Sequence, residues 1–150
     1  LFEYVKNLPD PLMPELENLF FGQSFDDVKR RVNDITGIYL FIDFGEFSSS
    51  RDSRNSILDQ QKLAATIAMK LTDSADMVEV AIASDVALSL LASLRKKLIQ
   101  DSRSSATPWL DKISDNHDIV PFVSPEFKSI GWTLMFNSSA ADLFDVKVPQ

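Results

Sequence analysis

Between residues 62 and 101 the spacing of apolar side chains changes from two to about 3.6 within a few positions. Leu63, Ala65, Ile67, Met69 and Leu71 alternate with Lys62, Ala64, Thr66, Ala68, Lys70 and Thr72. This is the pattern of a strand with one face buried and the other small or wet. After the turn residues Thr72-Asp73-Ser74 the spacing becomes helical, through Val80, Ala83, Ala87, Leu91, Leu94 and Leu98, with Leu90 widening the stripe. A strand that passes directly into a long amphipathic helix implies a sheet with a helix laid across it. The feature is architectural and contains no chemistry.

At 150 residues the chain suits one domain able to bury a core without staples. No apolar run approaches the roughly 20 residues of a bilayer-spanning helix, so no membrane segment is expected. There are no cysteines, which removes disulfides, thiolate metal sites and cysteine nucleophiles and fits a reducing compartment. Lysine and arginine number 15 against 22 acidic residues, a formal charge of −7. A nucleic-acid binder gathers positive charge on one face. The basic runs here, Lys29-Arg30-Arg31 and Arg95-Lys96-Lys97, fall inside expected helices, where they read as solvated faces and as complements to the C-terminal dipole. Direct nucleic-acid binding is therefore not expected.

Along the chain, Pro14 and Gly22 bracket an expected short helix, with another around Phe2 to Leu8; together they make residues 1–23 a helical N-terminal segment. Ser24-Phe25-Asp26-Asp27 resembles a capping box and opens a helix through Val28, Val32 and Ile35 that Gly37 closes. Residues 38–47 are apolar on both faces at first, the mark of a strand covered on both sides. Residues 48–60, rich in Ser, Arg and Asp, read as a long hairpin loop making the strands at 38–47 and 62–71 antiparallel. A helix spans about 77–101, followed by a second polar loop, and Trp109 to Ile113 read as a short strand or helical turn. Ile119, Val120, Phe122 and Val123 form a strand that Pro121 confines to an edge. Ile130, Trp132, Leu134 and Phe136 mark the last strand, and residues 138–150 read as a tail. The expected fold is α+β: one domain, a mostly antiparallel sheet of about four strands with a long helix across one face and short N-terminal helices.

A search for chemistry returns little. The single histidine, His117, stands between Asp115 and Asp118, but neighbouring side chains in a turn point apart and no second His or Cys completes a metal cage. The same segment lacks the alternating spacing of a calcium loop. Glycines 22, 37, 45 and 131 are scattered and form no phosphate loop. Serines 48–50 have no histidine nearby in sequence to activate a nucleophile. Asp43 and Glu46 at a strand end are a conceivable carboxylate pair, equally explained as rim residues. Trp109 and Trp132 read as core or interface anchors. No catalytic residue, cofactor or metal is expected.

The order of segments resembles that of phage tail-terminator and tail-completion proteins. It is carried by Tyr39-Leu-Phe-Ile-Asp-Phe-Gly-Glu-Phe47, the polar loop, Leu63-Ala-Ala-Thr-Ile-Ala-Met-Lys-Leu71, the helix Val80 to Ile99, and the strands Ile119 to Val123 and Ile130 to Phe136. It is a resemblance of pattern and order over about residues 24–137, without a diagnostic motif. It implies a non-catalytic α+β subunit that assembles with itself into a ring, often a hexamer, and joins other tail or connector proteins. The expected location is then the virion tail, assembled in the host cytoplasm, with no nucleic acid or membrane partner. Under that resemblance the loop holding Arg51, Asp52 and Arg54 is the natural subunit or partner contact. A small protein-interaction or regulatory module is the alternative reading.

Overall fold

The computed structural model describes residues 18–22, 37–43, 47–51, 54, 57–103 and 117–141. Seven elements follow in order: strands β1 (Asn18–Gly22), β2 (Ile38–Asp43), β3 (Phe47–Arg51) and β4 (Ile57–Lys70), helix α1 (Met77–Ser102), and strands β5 (Asp118–Ser124) and β6 (Ser129–Ala141). The segments at 38–47 and 62–71 do lie side by side and antiparallel, from Ile38 opposite Met69 to Asp43 opposite Ala64. Strand order across the sheet is β1-β2-β4-β6-β5, with β3 beside β4. The expected antiparallel quartet is β2-β4-β6-β5, so the fold is α+β as anticipated.

Two strands are additions to that quartet, and each corrects an expectation. Asn18–Gly22, expected in a helix, forms β1 and runs parallel to β2 from Asn18 opposite Tyr39. A run of Leu19-Phe20-Phe21 is too short to fix a period, and aromatic residues suit a strand beside a buried neighbour. The other expected N-terminal helices fall outside the described residues. The 14 residues between β1 and Gly37 match the dozen or more that a parallel crossover requires. Gly37 itself has φ 84, a left-handed conformation that glycine adopts without steric cost.

The segment 48–60, expected as a loop, is mostly hairpin: Phe47–Arg51 pairs with Ile57–Gln61, leaving 52–56 as the connection. Ladder hydrogen bonds are made by the backbone, so a Ser-rich strand closes them as well as an apolar one does. Residues 138–141, expected in the tail, extend β6 and pair with Leu58–Gln61. From Asp43 to Phe47 the chain advances four residues while β4 advances three, from Ala64 to Gln61, so one extra residue enters between β2 and β3.

Helix α1 starts at the N-cap Asp76, whose carboxylate accepts from the Glu79 N–H at 2.9 Å. Its buried stripe is Ala83, Ala87, Leu90, Leu91, Leu94 and Leu98, the set read from spacing except for half-buried Val80. The stripe packs on Leu40 and Ile42 of β2, Leu63, Ala65 and Ile67 of β4, and Leu134 and Phe136 of β6. The Trp132 indole N–H donates to the Ser84 hydroxyl at 3.0 Å, tying β6 to the helix. One expectation about this helix needs correction. It runs on to Ser102, so Arg95, Lys96 and Lys97 lie short of its last turn, where no basic residue sits. By length and composition it is also apolar enough to cross a membrane, although here its stripe packs against the sheet.

The opposite face of the sheet is buried beside β2, at Tyr39, Phe41, Thr66 and Ala68, so β2 is covered on both sides as its composition implied. Thr66 and Thr133 hydrogen-bond across β4 and β6 at 2.7 Å. Gly131 lies opposite Ala68, and a Cβ there would sit 2.0 Å from the Ile67 carbonyl oxygen. Tyr39 reaches the Ser129 side chain, while the Ser129 hydroxyl donates to the Phe127 carbonyl at 2.9 Å. Burial pushes the Tyr39 phenol above its ordinary pKa, and the contact with Ser129 partly offsets this. Strand β5 is an outer strand among the described residues, with Pro121 opposite Trp132.

Two measurements check this account. Gly131→Ala must force β4 and β6 apart at the backbone, costing about 3 kcal/mol and lowering Tm by roughly 6–12 °C; a Tm within a couple of degrees of the parent contradicts the close approach. Tyr39 ionises near pH 10 in the unfolded chain but only at higher pH when folded. Its contribution to stability is therefore intact below pH 10 and declines as pH rises from there toward the folded value. Thermal unfolding at pH 8 and pH 11 should show a larger loss for the parent than for Tyr39→Phe, and equal losses refute the burial of the phenol.

Candidate functional site

Strand β4 is 14 residues long and so spans about 46 Å. Among the described side chains, those of its second half, from Leu63 onward, contribute to the core beneath α1. The first half, Ile57–Lys62, has β3 on one side and the end of β6 on the other. The result is a three-stranded arm at that end of the sheet. Its strands read Phe-Ser-Ser-Ser-Arg, Ile-Leu-Asp-Gln-Gln-Lys and Asn-Ser-Ser-Ala-Ala. Backbone pairing joins these three strands.

At the far end of this arm stand two of the three residues singled out by sequence. Arg51 closes β3 and is exposed, and Arg54 lies exposed in the connection to β4. Asp52 falls outside the described residues. The structure thus places Arg51 at the end of β3 and Arg54 in the connection that follows it. Both are exposed, on a chain of net charge −7.

Among the described residues considered for catalysis, Asp43 lies apart from His117 and Asp118. Asp43 ends β2 opposite Ala64, which pairs onward with Met135, which pairs with Asp118. Three strand spacings separate Asp43 from Asp118, about 14 Å, well beyond the reach of paired catalytic carboxylates. His117 is half-buried where the chain enters β5. Asp115 and Glu46 lie outside the described residues. Among the described residues no three His, Cys, Asp or Glu side chains come close enough to hold a metal ion.

A second feature that spacing did not reveal lies at the start of α1. Met77, Val78 and Ile82 are exposed there, with Val123 of β5. Next to them a groove of about 290 Å³ is lined by Leu71, Ala75, Val80, Pro125 and Ile130 among others. The Lys128–Asp73 ion pair lies beside it. In the sequence Met77, Val78 and Ile82 fall off the stripe that packs on the sheet, so core spacing does not mark them. Compared with protein-family models and with curated proteins, the sequence matches none.

Proposed function

We propose that this chain is a structural, non-catalytic subunit of a phage or prophage tail, assembling into a ring at the tail end or the head–tail junction. The observation that carries the reading is the three-stranded arm tipped by Arg51 and Arg54. Strands that continue past their own core offer backbone groups and side chains to a neighbouring subunit, a common basis of ring contacts. The order of strand, hairpin, strand, long helix and two strands supports it as well. On this reading the partners are further copies of the chain and other tail or connector proteins, in the virion tail after assembly in the host cytoplasm.

A second reading has its own support. The exposed Met77, Val78 and Ile82 beside an apolar groove suit a small interaction or regulatory module that binds another protein.

Light scattering and negative-stain imaging decide between them. The ring reading expects a closed assembly several times the 16.8 kDa chain mass. It also expects Arg51→Glu with Arg54→Glu to shift that assembly toward smaller species by tenfold or more in concentration, with the circular dichroism spectrum unchanged. A strict monomer at several hundred micromolar refutes it and leaves the interaction module in its place.

A further inference from the structure

Helix α1 carries a second periodicity, on the side away from the sheet. Positions 78, 82, 85, 89, 92, 96, 99 and 103 advance by alternate steps of four and three, the spacing of a coiled-coil seam. None of them belongs to the stripe that packs on the sheet. Val78 is 65% exposed and Ile82 58% exposed, although both are strongly apolar. Asp85, Ser89, Ala92, Lys96 and Arg103 are exposed too, and Ile99 is half-buried.

We infer that this outward face is a self-pairing seam, on which α1 of a second copy docks antiparallel about a two-fold axis. The seam is its own complement when reversed. Ile82 then meets the other copy's Ile99, and Asp85 meets its Lys96. Ser89 meets Ala92 at the centre, and Val78 meets the aliphatic stem of Arg103. Each contact occurs twice, as a two-fold interface demands. The small central pair lets the helices approach closely, since interaxial distance follows the side chains at the crossing.

Charge selects the direction. A parallel pairing sets Asp85 against Asp85 and Lys96 against Lys96, whereas the antiparallel one pairs opposite signs at both places. A charged residue at a seam position fixes register and orientation in this way. Neither Asp85 nor Lys96 is held by an ion pair within the chain among the described residues. Lys96 and Arg103 also line a cleft of about 390 Å³ with Ala92 and Ile99, which leaves room for side chains of an opposing helix.

This inference does not rest on the tail-protein reading, since the arm plays no part in it. The absence of cysteine makes the test direct. A chain with Ser89→Cys is mixed at about 100 µM with one carrying Ala92→Cys and oxidised; a covalent pair at twice the 16.8 kDa chain mass should form and dominate over either homodimer. Met77→Cys alone should give no such band, because antiparallel helices set the two Met77 positions about 40 Å apart. In cysteine-free chains, Asp85→Lys and Lys96→Glu should each weaken self-association at least tenfold, and the two together should restore it to within a few-fold. A denaturing gel reads the cross-link whether or not rings form, so Arg51→Glu with Arg54→Glu should leave it unchanged. A Met77 cross-link, no cross-link between positions 89 and 92, or charge reversals without effect each overturns the seam.

Discussion

Thirteen consecutive residue pairs join β4 to β6 without interruption, from Leu58 opposite Ala141 to Lys70 opposite Ser129. Because side chains alternate across a sheet, this unbroken register decides which residues meet the helix and which turn away. Leu63, Ala65 and Ile67 join Phe136, Leu134 and Trp132 under α1. Thr66 and Ala68, with Thr133 and Gly131, take the other face. A slip of one residue at any point exchanges the two sets and places Thr66 and Thr133 in an apolar core. The close approach at Gly131 belongs to the same constraint, since only a residue without Cβ lets the ladder pass there. It also opens the way for Tyr39, which reaches from β2 across β4 to Ser129 because Ala68 and Gly131 put no bulk between them.

What could be read from the sequence was whatever leaves a mark in side-chain spacing. The buried stripe of α1 was legible because apolar residues recur there at helical intervals over 26 residues, long enough to fix a period. The core half of β4 was legible by strict alternation, and Pro121 announced an outer strand through its missing N–H. The ends of the long strands left no such mark. Ser48, Ser49 and Ser50 pair with Gln60, Asp59 and Leu58 through backbone groups that every residue possesses. Residues 138–141 belong to β6 only because Leu58–Gln61 are there to receive them. Parallel pairing of β1 with β2 is likewise a long-range decision, invisible to a window of five residues.

The candidate site was half legible for the same reason. Arg51 and Arg54 stand out in the sequence as charges in a polar stretch, whereas the pairing of Phe47–Arg51 with Ile57–Gln61 leaves no mark in side-chain spacing. The outward face of α1 leaves a weaker mark in the sequence than the stripe that packs on the sheet. Val78, Ile82 and Ile99 are too widely spaced, and too mixed with Asp85 and Lys96, to stand out until the sheet-facing side has been assigned.

Arm and seam lie on different parts of the molecule, and this governs what they can build together. The arm prolongs the sheet, while the seam lies on the side of α1 that faces away from that sheet. A contact between unlike surfaces, as an arm makes with a neighbour's flank, closes only if its rotation returns to the start, and otherwise runs on as a filament. A two-fold seam closes after two copies whatever the arm does. Combined with a closing arm contact it yields back-to-back rings, and with the arm idle it yields a dimer. The seam therefore limits growth along one direction, and the arm alone determines whether a larger ring exists.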